Sequence, residues 1–268
     1  REVPIVGKIA WGSIKNKLIF LLPAALLLSF FAPWLITPLL MIGGAYLCYE
    51  GAEKVFHALA PHQAEEHEAK IEPAAVDPQT LEDQQVSGAI KTDFILSAEI
   101  MTIILAAIDV DNFWYRAVVL AIAGVGITIA VYGAVALIVK ADDFGLFLAR
   151  NGRTGVGRGF GRGLVKFMPM FMQTLSVIGT AAMTWVGGSI VAHGLVGFGF
   201  AAPEHIIEAA AHWAEQTFPA IAGLAGWFAT ALVDFVFGLA LGAILIPVAS
   251  HVIAPIWKAL KGVLPKRA

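Results

Sequence analysis

The sequence predicts an all-α fold, a polytopic membrane helix bundle with about six transmembrane helices. Three observations predict it. Of the residues, 58% are hydrophobic and 14% charged, against about a quarter charged in a soluble domain. Apolar runs near 14–32, 35–58, 92–109, 114–139, 167–196 and 220–252 approach or exceed the roughly 20 residues that cross a bilayer core of about 30 Å. No run alternates with the period of two that a membrane β-strand shows, so helices, which pair their own backbone groups, are the way through lipid.

The basic residues sort by side. With six crossings, all but Arg116 of the 18 Lys and Arg residues fall on the side that holds both termini. They are Arg1, Lys8, Lys15 and Lys17, then Lys54, Lys70 and Lys91, then Lys140, Arg150, Arg153, Arg158, Arg162 and Lys166, and finally Lys258, Lys261, Lys266 and Arg267. By the positive-inside rule both termini are expected in the cytoplasm.

Each element follows in chain order. Residues 18–49 are almost unbroken apolar sequence, and as one helix would reach about 48 Å, too long for an ordinary crossing. Pro33-Trp34 divides the run, so a helical hairpin turning at the outer surface is expected; a re-entrant pair that returns to the same side is the alternative. Residues 60–91 carry seven acids against Lys70 between Pro61 and Ile90, and three prolines, and predict an acidic cytoplasmic loop. Span 92–109 is short and polar. In span 114–139, Gly124, Gly126 and Gly133 are expected to allow close helix contact. Residues 140–166 alternate Gly with Arg and predict a flexible Arg/Gly-rich cytoplasmic loop. Residues 203–218 predict an outer interfacial amphipathic helix: Pro203 suits a first turn, Glu204, Glu208, His212 and Glu215 form a polar stripe, and Ile206, Ala210 and Trp213 lie opposite. Together the segments make a single integral membrane domain over 1–268.

Two dipeptides recur at nearly the same spacing, Gly43-Gly44 with Gly187-Gly188 and Asp93-Phe94 with Asp234-Phe235. That is compatible with a 3+3 inverted repeat. In a chain with 27 Gly, chance matches are the alternative.

Ionisable groups inside spans are the natural functional candidates. Asp234 lies near the middle of span 220–252, where a carboxylate is expensive unless paired, protonated or wetted. Glu99 lies about 10 Å into span 92–109. Thr92, Glu99 and Thr102 share one helical face, and Asp93 and Ser97 a neighbouring one. Carboxylate and hydroxyl oxygens suit protons or hard cations, so Asp234, Glu99, Asp93, Thr102 and Ser97 are the ion- or proton-binding candidates. A buried Asp234 bonded to a neighbouring hydroxyl or His is the structural alternative, as is a helix-start role for Asp93. On the outer stripe, Glu204, Glu208 and His212, with Asp109 and Asp111 near in topology, are weaker metal candidates, since a wet polar face has the same composition. Arg153, Arg158 and Arg162 are placed to meet anionic lipid head groups.

Several classes are excluded or left without support. There is no basic domain for nucleic acid. Cys48 stands alone, so no internal disulfide forms. No phosphate-binding glycine loop, H-E-x-x-H or G-x-S-x-G is present, no nucleophile–base set is visible, and the residues name no cofactor. An enzyme is not expected. A small proton- or cation-coupled transporter is the leading expectation; a non-catalytic subunit or assembly factor of a membrane protein complex is the alternative, with protein partners or a homo-oligomer left open.

Phe31–His57 (FAPWLITPLLMIGGAYLCYEGAEKVFH) and Lys91–Leu105 (KTDFILSAEIMTIIL) resemble the YedI-like family of bacterial inner-membrane proteins, a domain of unknown function. The Asp142-Asp143 pair is also similar. The resemblance implies a multi-pass protein of the bacterial inner membrane; members of the family usually carry a longer N-terminal extension than residues 1–17, and the sequence departs from them there. It implies no substrate, cofactor or catalytic residue.

Overall fold

A computed structural model describes residues 2–59, 78–108, 110, 112–151 and 154–249. Every regular element among them is helical: α1 Glu2–Lys15, a π-helical segment Asn16–Leu21, α2 Leu22–Phe31, α3 Ile36–Leu59, α4 Pro78–Ala106, α5 Phe113–Asn151, α6 Gly155–Val196, α7 Ala202–Thr217 and α8 Ala222–Val248. Among the described residues five stretches are long and apolar enough to cross a membrane: Pro4–Phe31, Pro33–Leu59, Phe113–Asn151, Gly155–Val196 and Pro219–Val248. The third predicted span lies in α4, whose last part carries Lys91, Asp93 and Glu99 and is correspondingly more polar. Large apolar side chains face outward along the helices, among them Ile122 at 68%, Ile129 at 63% and Leu232 at 63% exposure. Water would penalise such continuous apolar surface, and lipid does not.

Local chemistry sets the helix boundaries. Pro23 has no N–H to close an ordinary turn, and the π-helical turn immediately precedes α2. Ala32, which precedes Pro33, leaves the helical region at φ −149°, ψ 62°, and ends α2. Asn112 caps α5, its Oδ1 accepting from the Tyr115 N–H at 3.1 Å, and Thr154 Oγ1 caps α6 through the Gly157 N–H at 3.1 Å. The end of α6 is a Schellman turn. Gly199 takes φ +83°, its N–H donates to Val196 O at 2.9 Å, and the Phe200 N–H donates to Leu195 O at 3.0 Å.

The chain divides into two compact units, residues 1–36 with 76–177, and residues 37–75 with 178–268. In the first, α1 and its π-helical continuation pack on α4 and α5. The buried positions step by four: Ser13, Lys17 and Leu21; Ser97, Met101 and Leu105; Leu120, Gly124 and Thr128. Leu21, Leu26, Met101, Leu105 and Leu120 form the apolar end of this seam. In the second unit α3, α6 and α8 meet through glycines. A Cβ at Gly44 would lie 2.9 Å from Gly187 O, and one at Gly187 would lie 2.7 Å from Gly44 O, so the two backbones touch reciprocally. Cys48 and Thr184, both fully buried, line the same seam.

Four sequence expectations change. Residues 78–91 of the predicted acidic loop are the first turns of α4, because Pro78 is a favoured helix start; residues 60–77 lie outside the described residues. The Arg/Gly stretch is helical on both sides of 152–153, extending α5 to Asn151 and starting α6 at Gly155. Two of its glycines serve packing: a Cβ at Gly145 would come 3.2 Å from the Leu164 side chain, and one at Gly161 would strike the Ala149 and Gly145 backbone. Of the three span-four glycines, Gly124 meets a neighbour, while Gly126 and Gly133 meet none of the described residues within 4 Å. Finally, α7 lies antiparallel along α8, from Glu215 beside Gly226 to Glu204 beside Asp234. Its covered stripe is Ile207 and Ala214 with Glu204, whereas Ile206 and Trp213 are exposed.

Candidate functional site

The second unit builds a buried carboxylate site around Asp234, midway along α8. The residue is 1% exposed. Gly188 allows the α6 backbone to rest against the Asp234 carbonyl, which no side chain at that position would permit. The next residue, Ser189, hydrogen-bonds the Asp234 carboxylate. Glu204, in the first turn of α7, faces the same carboxylate. Its Oε1 lies 3.2 Å from His193 Nδ1. One oxygen on each acid, Asp234 Oδ1 and Glu204 Oε2, is buried with no hydrogen-bond partner among the described residues. Buried polar atoms are seldom left so, because each forgoes its hydration. These two oxygens, on acids that influence each other electrostatically, are available to a proton or a cation, and the exposed His193 lies at the edge.

The first unit builds a different cluster around Asp93. Asp93 Oδ2 accepts from Ser13 Oγ at 2.5 Å, from Lys17 Nζ at 2.7 Å and from Ser97 Oγ at 3.3 Å. Lys17 Nζ also donates to Ser13 Oγ at 2.5 Å. The Tyr132 hydroxyl, from α5, faces Asp93 and Ser13. Lys17 is 3% exposed, which makes Lys17–Asp93 an interior ion pair.

The predicted site residues therefore separate. Asp93, Ser97, Glu99 and Thr102 belong to the first unit and Asp234 to the second. Within the first unit only Asp93 and Ser97 share a hydrogen-bonded cluster. Glu99 is half-buried outside it, and the Thr102 hydroxyl donates to Ala98 O at 2.8 Å in its own helix. The span-five hydroxyls are likewise satisfied locally, Thr174 by Met170 O at 2.8 Å and Thr184 by Thr180 O at 2.9 Å. The helix-start reading of Asp93 gives way, since α4 begins at Pro78 and Asp93 lies well inside it.

The outer metal candidates do not converge. Among the described residues no group of three or more His, Cys, Asp or Glu is arranged to hold a metal ion. Glu204 turns inward to Asp234 and His193, while Glu208 lies 3.7 Å from His205. Asp109 and Asp111 lie outside the described residues, as does Arg153. Arg158 and Arg162 are exposed one turn apart on α6.

Sequence reasoning missed Lys17, Ser13 and Tyr132, and assigned Glu204 to the wrong face. Lys17 had a visible signal, because it falls inside the predicted span 14–32 and stands four residues from both Ser13 and Leu21. Glu204 had none, since a helix rich in acids on one stripe gives no sign that one of them is covered.

A family model described as a protein of unknown function, DUF808, matches residues 1–248. The chain belongs to that family, in agreement with the resemblance in its second and third spans. No curated protein and no solved structure matches the chain.

Proposed function

We propose that this member of the DUF808 family is a small proton- or cation-coupled transporter of the bacterial inner membrane, with Asp234 and Glu204 as its ion-binding pair. The observation that carries the reading is the two buried carboxylate oxygens without donors among the described residues, Asp234 Oδ1 on α8 and Glu204 Oε2 on α7, on acids that influence each other electrostatically. A purely structural carboxylate would be expected to have both oxygens satisfied. Ser189 orients the Asp234 carboxylate, and His193 gives Glu204 a partner toward the exposed edge. The Lys and Arg asymmetry supports a cytoplasmic location for both termini, and the exposed Arg158 and Arg162 supply a surface for anionic lipid.

Proteoliposomes carrying a pH-sensitive or alkali-sensitive dye test the reading under imposed proton, sodium or potassium gradients. The parent protein is expected to dissipate one of them, Asp234→Asn to abolish the flux, and Glu204→Gln to reduce it, with normal insertion in both variants. Unchanged flux in Asp234→Asn would remove Asp234 from the mechanism. A parent without flux, beside a working control transporter, would favour the second reading, a non-catalytic subunit or assembly factor. The outward-facing apolar residues, such as Ile206 and Trp213 on α7, would then contact a partner protein.

A further inference from the structure

We infer that the oxygen cluster of Ser13, Asp93, Ser97 and Tyr132 is an alkali-cation site whose cation position is held by the Lys17 ammonium. The inference rests on the first unit alone and stands whether or not Asp234 couples transport.

The geometry is that of a cation enclosed by oxygens. Lys17 Nζ touches Ser13 Oγ at 2.5 Å and Asp93 Oδ2 at 2.7 Å. Ser97 Oγ and the Tyr132 hydroxyl converge on the same carboxylate from α4 and α5. Carboxylate and hydroxyl oxygens are the donor set of hard cations. The ammonium has only donors to offer, so it can occupy such a site as a tethered ion does, without changing the oxygens around it.

One further feature separates this pair from a fixed structural bridge. Lys17 is carried on the π-helical turn Asn16–Leu21, not on a regular helix, and π-turns insert an extra residue per turn and occur at functional sites. Without the ammonium, Asp93 would be an uncompensated carboxylate beside the apolar seam of Leu21, Met101 and Leu105 and would require another positive charge.

The test is binding by the purified protein, separate from flux. Lys17→Met vacates the cation position. Its thermal unfolding is read in sodium, lithium, potassium and choline chloride, with radioactive sodium binding measured in parallel. One alkali cation is expected to stabilise Lys17→Met saturably, with apparent affinity at least about tenfold tighter than in the parent, where the tethered ammonium competes at an effective concentration of about millimolar. The effect is expected to vanish in Lys17→Met with Asp93→Asn. Lys17→Gln, which keeps a neutral donor, repeats the measurement should Lys17→Met fail to fold. Melting that is identical in choline and in every alkali salt would overturn the proposal, as would a cation effect that survives removal of the Asp93 charge. Failure of both variants to fold in all three alkali salts would overturn it too, because a cation able to replace the ammonium would rescue them.

Discussion

Gly187→Ala is expected to destabilise the second unit, while the chemically identical Gly126→Ala is expected to stabilise the first. A methyl at Gly187 would sit 2.7 Å from Gly44 O, 2.9 Å from Cys48 Sγ and 3.0 Å from Leu47 Cβ. Comfortable contact is about 3.4–4 Å, so three atoms of α3 must retreat by about half an ångström or more. One is a backbone oxygen and another a Cβ, and neither can rotate away. Overpacking of this kind costs about 1–3 kcal/mol. Replacing a helical glycine by alanine returns about 1 kcal/mol through backbone entropy. At Gly126 none of the described residues lies within 4 Å of the added methyl, so the favourable term acts. The two variants should therefore differ by about 1–3 kcal/mol with Gly187→Ala the less stable. Thermal unfolding in detergent, followed by circular dichroism, reads the order of the melting midpoints. If Gly187→Ala melted with or above Gly126→Ala, the reciprocal contact of Gly44 and Gly187 would not exist.

Asp93→Asn alone should cost about 3–5 kcal/mol, because it strands the Lys17 ammonium, and adding Lys17→Met should recover much of that loss in a double-mutant cycle; additive effects would refute the ion pair. Cys48 is fully buried against the glycine seam, so the folded protein should resist maleimide until it unfolds; prompt labelling of folded protein would show the seam to be open. Replacing Arg158 or Arg162 by Gln should weaken retention of anionic lipid in native mass spectrometry, by about fivefold per cation at about 1 kcal/mol each, and unchanged retention would remove them as lipid contacts.

Much of the candidate chemistry was legible before any coordinates, and the reasons differ by residue. Asp234 stands out because a carboxylate in the centre of an apolar run is costly in lipid whatever surrounds it. Asp93 and Ser97 stand four apart, which is enough to place them on one helix face. What lay beyond sequence reasoning was who faces them. By sequence Lys17 counts among the flanking charges, yet the π-helical turn and the packing of α1 on α4 carry it to Asp93. Periodicity groups Glu204 with Glu208 and His212, whereas the hairpin of α7 with α8 turns it inward. The Arg/Gly stretch looked like a connector because glycine weakens an isolated helix; close approach of α5 and α6 at Gly145 and Gly161 gives those same glycines a packing role.

By itself the sequence determined an all-α membrane protein, because hydrophobic length and the need to pair backbone groups in lipid depend only on composition along the chain. The tertiary structure decided the pairings: Lys17 with Asp93, Glu204 with Asp234, and Gly44 with Gly187. Each pairing joins residues far apart in the chain, and each depends on how neighbouring helices rotate about their axes. That rotation is set by the sum of many packing contacts, in which no single span carries enough information to choose its own partner.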